Sequence, residues 1–230
     1  MVDERSAFEQ ILYDRLIPEF CGEARRGCDA SGFQSGSVHI SQQDAHYFLK
    51  AFNAGLIEHQ GSGLYRAARS AAREQFFWEG RRALTPRPFT LWLEPIITVA
   101  GLARLHFDYG WPKHLIGTQS LDWAFDLVTF LPDRAEELIA GEVKKTAKEI
   151  DQLLQLMTIF GRHPTIEIPS SGKERNAYKK VLALRSRRPP LFWALGPDGV
   201  SEVFAVQYSE GGVVDLIATE NAALKFASVD

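Results

Sequence analysis

Two short apolar runs, residues 127–131 (LVTFL) and 138–141 (LIAG), stand on either side of a polar break at 132–137 that contains Pro132 and Asp133. Runs of this length bounded by turn residues predict a β-hairpin. The second run ends in Glu142-Val143-Lys144. Side chains alternate along a strand, so Glu142 and Lys144 share one face and Val143 points to the other. Asp126 opens the first run. It joins that face only if the register sets it opposite Glu142 or Lys144, because a slip of one residue turns it away.

The segments around the hairpin read as an alternation of helices and strands. Ile150, Leu153, Leu154, Met157 and Phe160 recur at helical spacing within 146–161, and Gly161 suits a C-terminal cap. This helix would carry Lys148, Glu149 and Gln152 near the strand ends. Upstream, Glu94-Pro95 opens a run at 96–107 that is apolar nearly all round, which predicts a helix buried against a sheet. Glu94 is either an acid offered to the site or an N-terminal cap favoured by the helix dipole. Residues 108–119 read as a loop. Asp122 lies an even number of residues before Asp126, so an extended chain would make it a reserve acid on the same face. Residues 173–188 hold seven basic residues against one acid, Glu174. They form either a patch for a phosphate backbone or a solvated helix face. After Pro189-Pro190, residues 191–195 predict a buried strand. Residues 203–208 and 213–217 predict a second hairpin, and 218–226 a last helix.

The N-terminal part reads differently. Residues 7–20 predict a helix capped by Ser6 with Glu9 and ended or kinked at Pro18. Ser41 caps a second helical stripe over 41–57. Gly61-Ser62-Gly63 then separates two short apolar pieces. This helix-then-hairpin order resembles the recognition helix and wing of a winged-helix domain, with Lys50 and Arg66 as phosphate contacts, though the same order is common in proteins that never touch DNA. Residues 66–82 predict an Arg-rich helix. The break Thr85-Pro86-Arg87-Pro88 is the expected boundary between a mostly helical domain, 1–85, and a second domain, 86–230.

Asp126, then Glu142-Val143-Lys144, then a helix resembles the D…(D/E)xK core of the PD-(D/E)XK nuclease superfamily, to which restriction endonucleases belong. Glu142-Val143-Lys144 is the only (D/E)-x-K triplet in the chain, and Phe125 rather than Pro precedes Asp126. The resemblance covers roughly residues 94–195. It implies an α/β fold with a central mixed sheet flanked by helices, restriction-endonuclease-like, and metal-dependent hydrolysis of phosphodiester bonds, with DNA as the expected substrate. It implies Asp126, Glu142, Lys144 and Glu94 as catalytic residues. Asp126, Glu142 and the Val143 carbonyl would hold Mg2+ or Mn2+, and Lys144 would meet the attacking water or a phosphate oxygen with a depressed pKa. Lys173, Lys179, Lys180, Arg185, Arg187 and Arg188 are the expected nucleic-acid contacts. Many relatives pair to cut two strands, so a homodimer or a larger complex is the implied assembly. The opposing reading is a solvated Glu/Lys face with no chemistry, or a module that keeps the fold and only binds DNA or a protein partner.

Composition narrows the rest. A net charge of −3 gives no global attraction to a polyanion, so any such contact must be local. Cys21 and Cys28 match no zinc spacing and read as free thiols of a reducing cytoplasm. No charged-then-apolar leader and no membrane-length apolar stretch is visible, so a cytoplasmic protein without a membrane partner is expected. The chain has no P-loop, GxGxxG, HExxH or GxSxG.

Overall fold

A computed structural model describes residues 3–227; residues 1–2 and 228–230, the outer ends of the two expected domains, lie outside it. The chain begins with α1 (Glu4–Ile11), a π-helical turn (Leu12–Leu16) and α2 (Ile17–Cys21) in one continuous rod. Pro18 lacks an N–H and crowds the carbonyl four residues back, and the widened π turn beside it relieves both. The helix therefore passes Pro18 where a stop or kink was expected. Asp3, not Ser6, is the N-cap, and it accepts from Arg5 N at 3.2 Å. Ser41 caps α3 (Gln42–Asn53) as expected, accepting from Asp44 N at 3.0 Å.

Small strands follow: β1 (Glu58–His59), β2 (Leu64–Arg66) and β3 (Glu74–Gln75) in one sheet, β4 (Phe77–Glu79) and β5 (Phe89–Leu91) in another. The Arg-rich helix expected at 66–82 does not form. Its Phe76 and Phe77 are buried, and Ser70 fixes an irregular turn by accepting from Ala67 N and Thr118 N. The boundary expected after residue 85 falls in the connection between the paired β4 and β5. One apolar core runs from Phe8 and Phe48 through Phe76 and Ile96 to Trp193. α3 packs on α1 and on the next helix, α4 (Leu93–Phe107). Lys50 lies 4.3 Å over the Phe107 ring, and Arg66 donates to the Ser70 carbonyl, so both expected phosphate contacts are engaged within the fold.

The main sheet has six strands: β6 (Ile116–Thr118), β7 (Leu127–Phe130), β8 (Glu137–Val143), β9 (Leu191–Leu195), β10 (Ser201–Tyr208) and β11 (Val214–Thr219). Their spatial order is β11-β10-β9-β8-β7-β6. All neighbours are antiparallel except β8 and β9, which are parallel. Two helices, α5 (Ala147–Arg162) and α6 (Gly172–Arg187), form the crossover that a parallel pair requires. The fold is α/β, a six-stranded mixed sheet flanked by helices.

Strand alternation divides the core. Ile139, Val143, Trp193 and Leu195 pack with α4 on one face. Ala140, Phe192 and Ala194 pack with Ile150, Met157, Tyr178 and Leu184 of α5 and α6 on the other. The loop expected at 108–119 includes β6, recruited because Ile116 and Thr118 have a ready partner in β7. The last helix expected at 218–226 is the end of β11 followed by a 3-10 turn, Asn221–Leu224. Gly161 does not cap α5 but lies within it, where an added Cβ would stand 2.2 Å from the Val214 carbonyl oxygen. Gly161→Ala is therefore expected to cost about 1–3 kcal/mol in equilibrium urea unfolding, as overpacking against fixed backbone does.

Candidate active site

The register that β7 and β8 adopt sets Leu127 opposite Gly141, which places Asp126 across from Glu142. Asp126 N donates to the Gly141 carbonyl at 2.9 Å, and Val143 N donates to Asp126 Oδ2 at 2.9 Å. One Asp126 oxygen is thus fixed, leaving the other for a further partner. Glu142 is 2% exposed. Its Oε1 accepts from Lys144 Nζ and its Oε2 from Lys180 Nζ, each at 2.5 Å. Lys144 Nζ also donates to the Val143 carbonyl at 2.8 Å. A cleft of about 920 Å³ opens over Glu142, Lys144 and Lys180, lined also by Glu94, Trp123, Lys173 and Lys179. Glu142 is therefore no solvated face.

The electrostatics follow from this packing. Burial, and then the Glu142 charge, push the Asp126 carboxyl up to about 7. Burial would raise Glu142 too, but Lys180 and Lys144 outweigh it and hold it below the usual range. Burial works to lower Lys144, yet Glu142 and Asp126 outweigh it and the ammonium is held above its ordinary value. This reverses the depressed pKa expected of Lys144. Glu94 stands near enough for its charge to add to that stabilisation, while accepting from Trp92 Nε1 at 3.2 Å.

The six expected nucleic-acid contacts separate. Lys180 belongs to the acid cluster, also donating to the Ala124 carbonyl at 2.8 Å. Arg185 caps the end of α5 through the Phe160 and Gly161 carbonyls and reaches Gly212 O. Arg187 pairs with the buried Glu137 at 3.1 Å. Arg188 lies 4.6 Å over the Tyr208 ring. These three arginines build the fold. Lys173, which donates to Gln152 at 2.8 Å, and Lys179 line the cleft. Asp122 lines the cleft, but not on an extended segment shared with Asp126. It adopts a left-handed turn, is 91% exposed at its side chain, and meets Arg187 at 3.2 Å. The contact of Lys180 with Glu142 is the feature of the site that sequence reasoning did not foresee. The signal available was the place of Lys180 on α6, one turn on from Asn176, on the stripe that runs along the cleft.

Oxygen donors alone converge here: two carboxylates and the Val143 carbonyl. Among the described residues no three His, Cys, Asp or Glu side chains converge as a metal cage. Carboxylate and carbonyl oxygens are the donor types a hard divalent cation takes, but here both Glu142 oxygens and the Val143 carbonyl accept from the Lys144 and Lys180 ammonium groups. Burial holds both thiols above their ordinary pKa, Cys21 at about 11, so neither is an activated nucleophile. No helix is long and apolar enough to cross a membrane among the described residues. Compared with known proteins, the chain matches no protein-family model, no curated protein and no solved structure.

Two measurements check this account. Lys180→Met leaves buried Glu142 with one cation and is expected to destabilise the protein by about 3 kcal/mol, whereas Lys179→Met, exposed on the same helix, changes stability by less than about 0.5 kcal/mol in urea titrations. The raised Asp126 pKa means the fold binds that proton more tightly than the unfolded chain. Its contribution is complete below about pH 4 and is lost as pH rises through about 7. With EDTA present, Asp126→Asn should therefore be more stable than wild type at about pH 8, by up to about 4 kcal/mol, with the gap shrinking towards about pH 5.

Proposed function

We propose that this chain is a metal-dependent nuclease of the PD-(D/E)XK kind, with a restriction-endonuclease-like fold, that hydrolyses phosphodiester bonds in DNA in a restriction, defence or repair role. The observation that carries this reading is the pairing of Asp126 with Glu142 at adjoining strand ends, with the Lys144 ammonium held between Glu142 Oε1 and the Val143 carbonyl.

Asp126, Glu142 and the Val143 carbonyl would hold Mg2+ or Mn2+, which would relieve charge on the phosphate and make water a better nucleophile. Hydrolysis adds water across a P–O bond and leaves a phosphate monoester and a hydroxyl. Lys144, whose ammonium Glu142 and Asp126 favour, would serve as a donor to a phosphate oxygen. Lys180 keeps Glu142 oriented from the α6 side. Lys173 and Lys179 run along the cleft where neighbouring phosphates would lie. Glu94, at the start of α4, bears on Lys144 from the opposite layer.

One observation favours a second reading. Both Glu142 oxygens are already taken by ammonium groups, as suits a fold that binds nucleic acid and cuts nothing. Incubation with plasmid, linear duplex and single-stranded DNA under Mg2+, Mn2+ or EDTA separates the two. Metal-dependent cleavage is expected, reduced about a hundredfold or more in Asp126→Ala and in Lys144→Ala. Equal cleavage by all three proteins overturns the nuclease reading, and binding without cleavage selects the second.

A further inference from the structure

Resting on the nuclease reading, we propose that Trp123 is a stacking platform for an unpaired nucleobase, so that the strand held at the Glu142–Lys144 site is single-stranded nucleic acid.

Trp123 is 74% exposed and lines the cleft. A large indole left in water at the lip of a polar cleft contributes nothing to the core. The backbone beneath it is strained. Asp122 and Trp123 follow one another with φ of 60° and 54°, left-handed values that cost non-glycine residues about 1–2 kcal/mol each. Strain of this kind persists only where the surroundings over-determine it.

The surroundings here do so. Trp123 N donates to Ser120 O at 3.0 Å, and Ser120 Oγ accepts from Phe125 N at 2.9 Å. Arg187 donates to the Leu121 carbonyl, and Lys180 to the Ala124 carbonyl. The loop is thus pinned by two basic residues of α6, one of which also holds Glu142. Three residues after Trp123 comes Asp126. The indole is therefore held in fixed relation to the paired acids.

The ligand follows from the chemistry. An indole offers a flat apolar face, and Lys173 and Lys179 in the same cleft offer cations without an acidic partner among the described residues. A nucleobase on the indole with its phosphate on a lysine uses both. In a duplex each base face is already covered by its neighbours, so the indole reaches a base only where the strand is unpaired. A protein surface would use the indole but leaves the lysines of the cleft without a role.

The test measures binding of the full-length chain, in EDTA so that nothing is cut, to fluorescein-labelled single-stranded DNA and to the same sequence as duplex. Tighter binding to the single strand is expected. Trp123→Ala should lose about five- to a hundredfold of that affinity, the range seen for removal of one stacking partner. Trp123→Phe should regain part of it, and Trp78→Ala, another exposed tryptophan, should bind as wild type does. Unchanged affinity in Trp123→Ala, or a preference for duplex, overturns the proposal. A protein partner lost on Trp123→Ala with DNA affinity intact overturns it too. Parallel assays with Mg2+ keep the two readings apart. Duplex cleavage by a Trp123→Ala protein of normal affinity sinks the platform and leaves the nuclease. Trp123-dependent single-strand binding without cleavage sinks the nuclease and leaves the platform.

Discussion

The structure depends on how one carboxylate is kept charged away from water. Moving a carboxylate out of solvent costs several kcal/mol even after the protein relaxes, and only close, well-aligned opposite charge offsets it. Glu142 has two such charges, Lys144 from its own strand and Lys180 from α6. Neither arrives by accident. Lys144 is placed by strand alternation and by its backbone bond to Leu195. Lys180 is placed by the phase of α6, whose apolar side, Ala177, Tyr178, Val181 and Leu184, faces the sheet. Because Lys180 also holds the Ala124 carbonyl, the same charge orders the approach to Asp126.

A second ion pair sits at the other end of the same strand, where Arg187 meets Glu137. The two contacts run in opposite senses along α6 and β8, as a returning helix demands. Seven helical residues rise about 10 Å and five strand residues span about 16 Å, a mismatch that long lysine and arginine side chains absorb. α6 is thereby clamped to β8 at both ends. The arginines read from sequence as a phosphate surface are mostly consumed in this clamp and in capping α5. What remains for a polyanion is the short lysine stripe within the cleft, which suits a chain whose net charge is −3.

The hairpin and the acid pair were legible because both rest on local rules. Turn chemistry set β7 against β8, two-residue alternation set Glu142 beside Lys144, and the Asp126 register followed from the same hairpin. α3 and α5, each with a single apolar stripe, and α4, apolar nearly all round, were legible for the same reason. Residues 66–82 were not. Ala and Arg suit a helix, but tertiary packing of Phe76 and Phe77 outweighed a propensity worth only tenths of a kcal/mol per residue. β6 was missed because three residues carry no usable period, and its strand character comes from the partner beside it. The pairing of Lys180 with Glu142 was not legible because a charge thirty-eight positions away shows no local sign of its partner.

The parallel pairing of β8 with β9 has a consequence for how the protein comes off the ribosome. Until α6 has been made, a hairpin of β7 and β8 would set the two acids opposite one another without the cation that α6 brings. The nascent hairpin must then stay hydrated at its acidic tip, or take up protons there, until two further helices have emerged. The corner around Glu142 is thus among the later parts of the molecule to become dry.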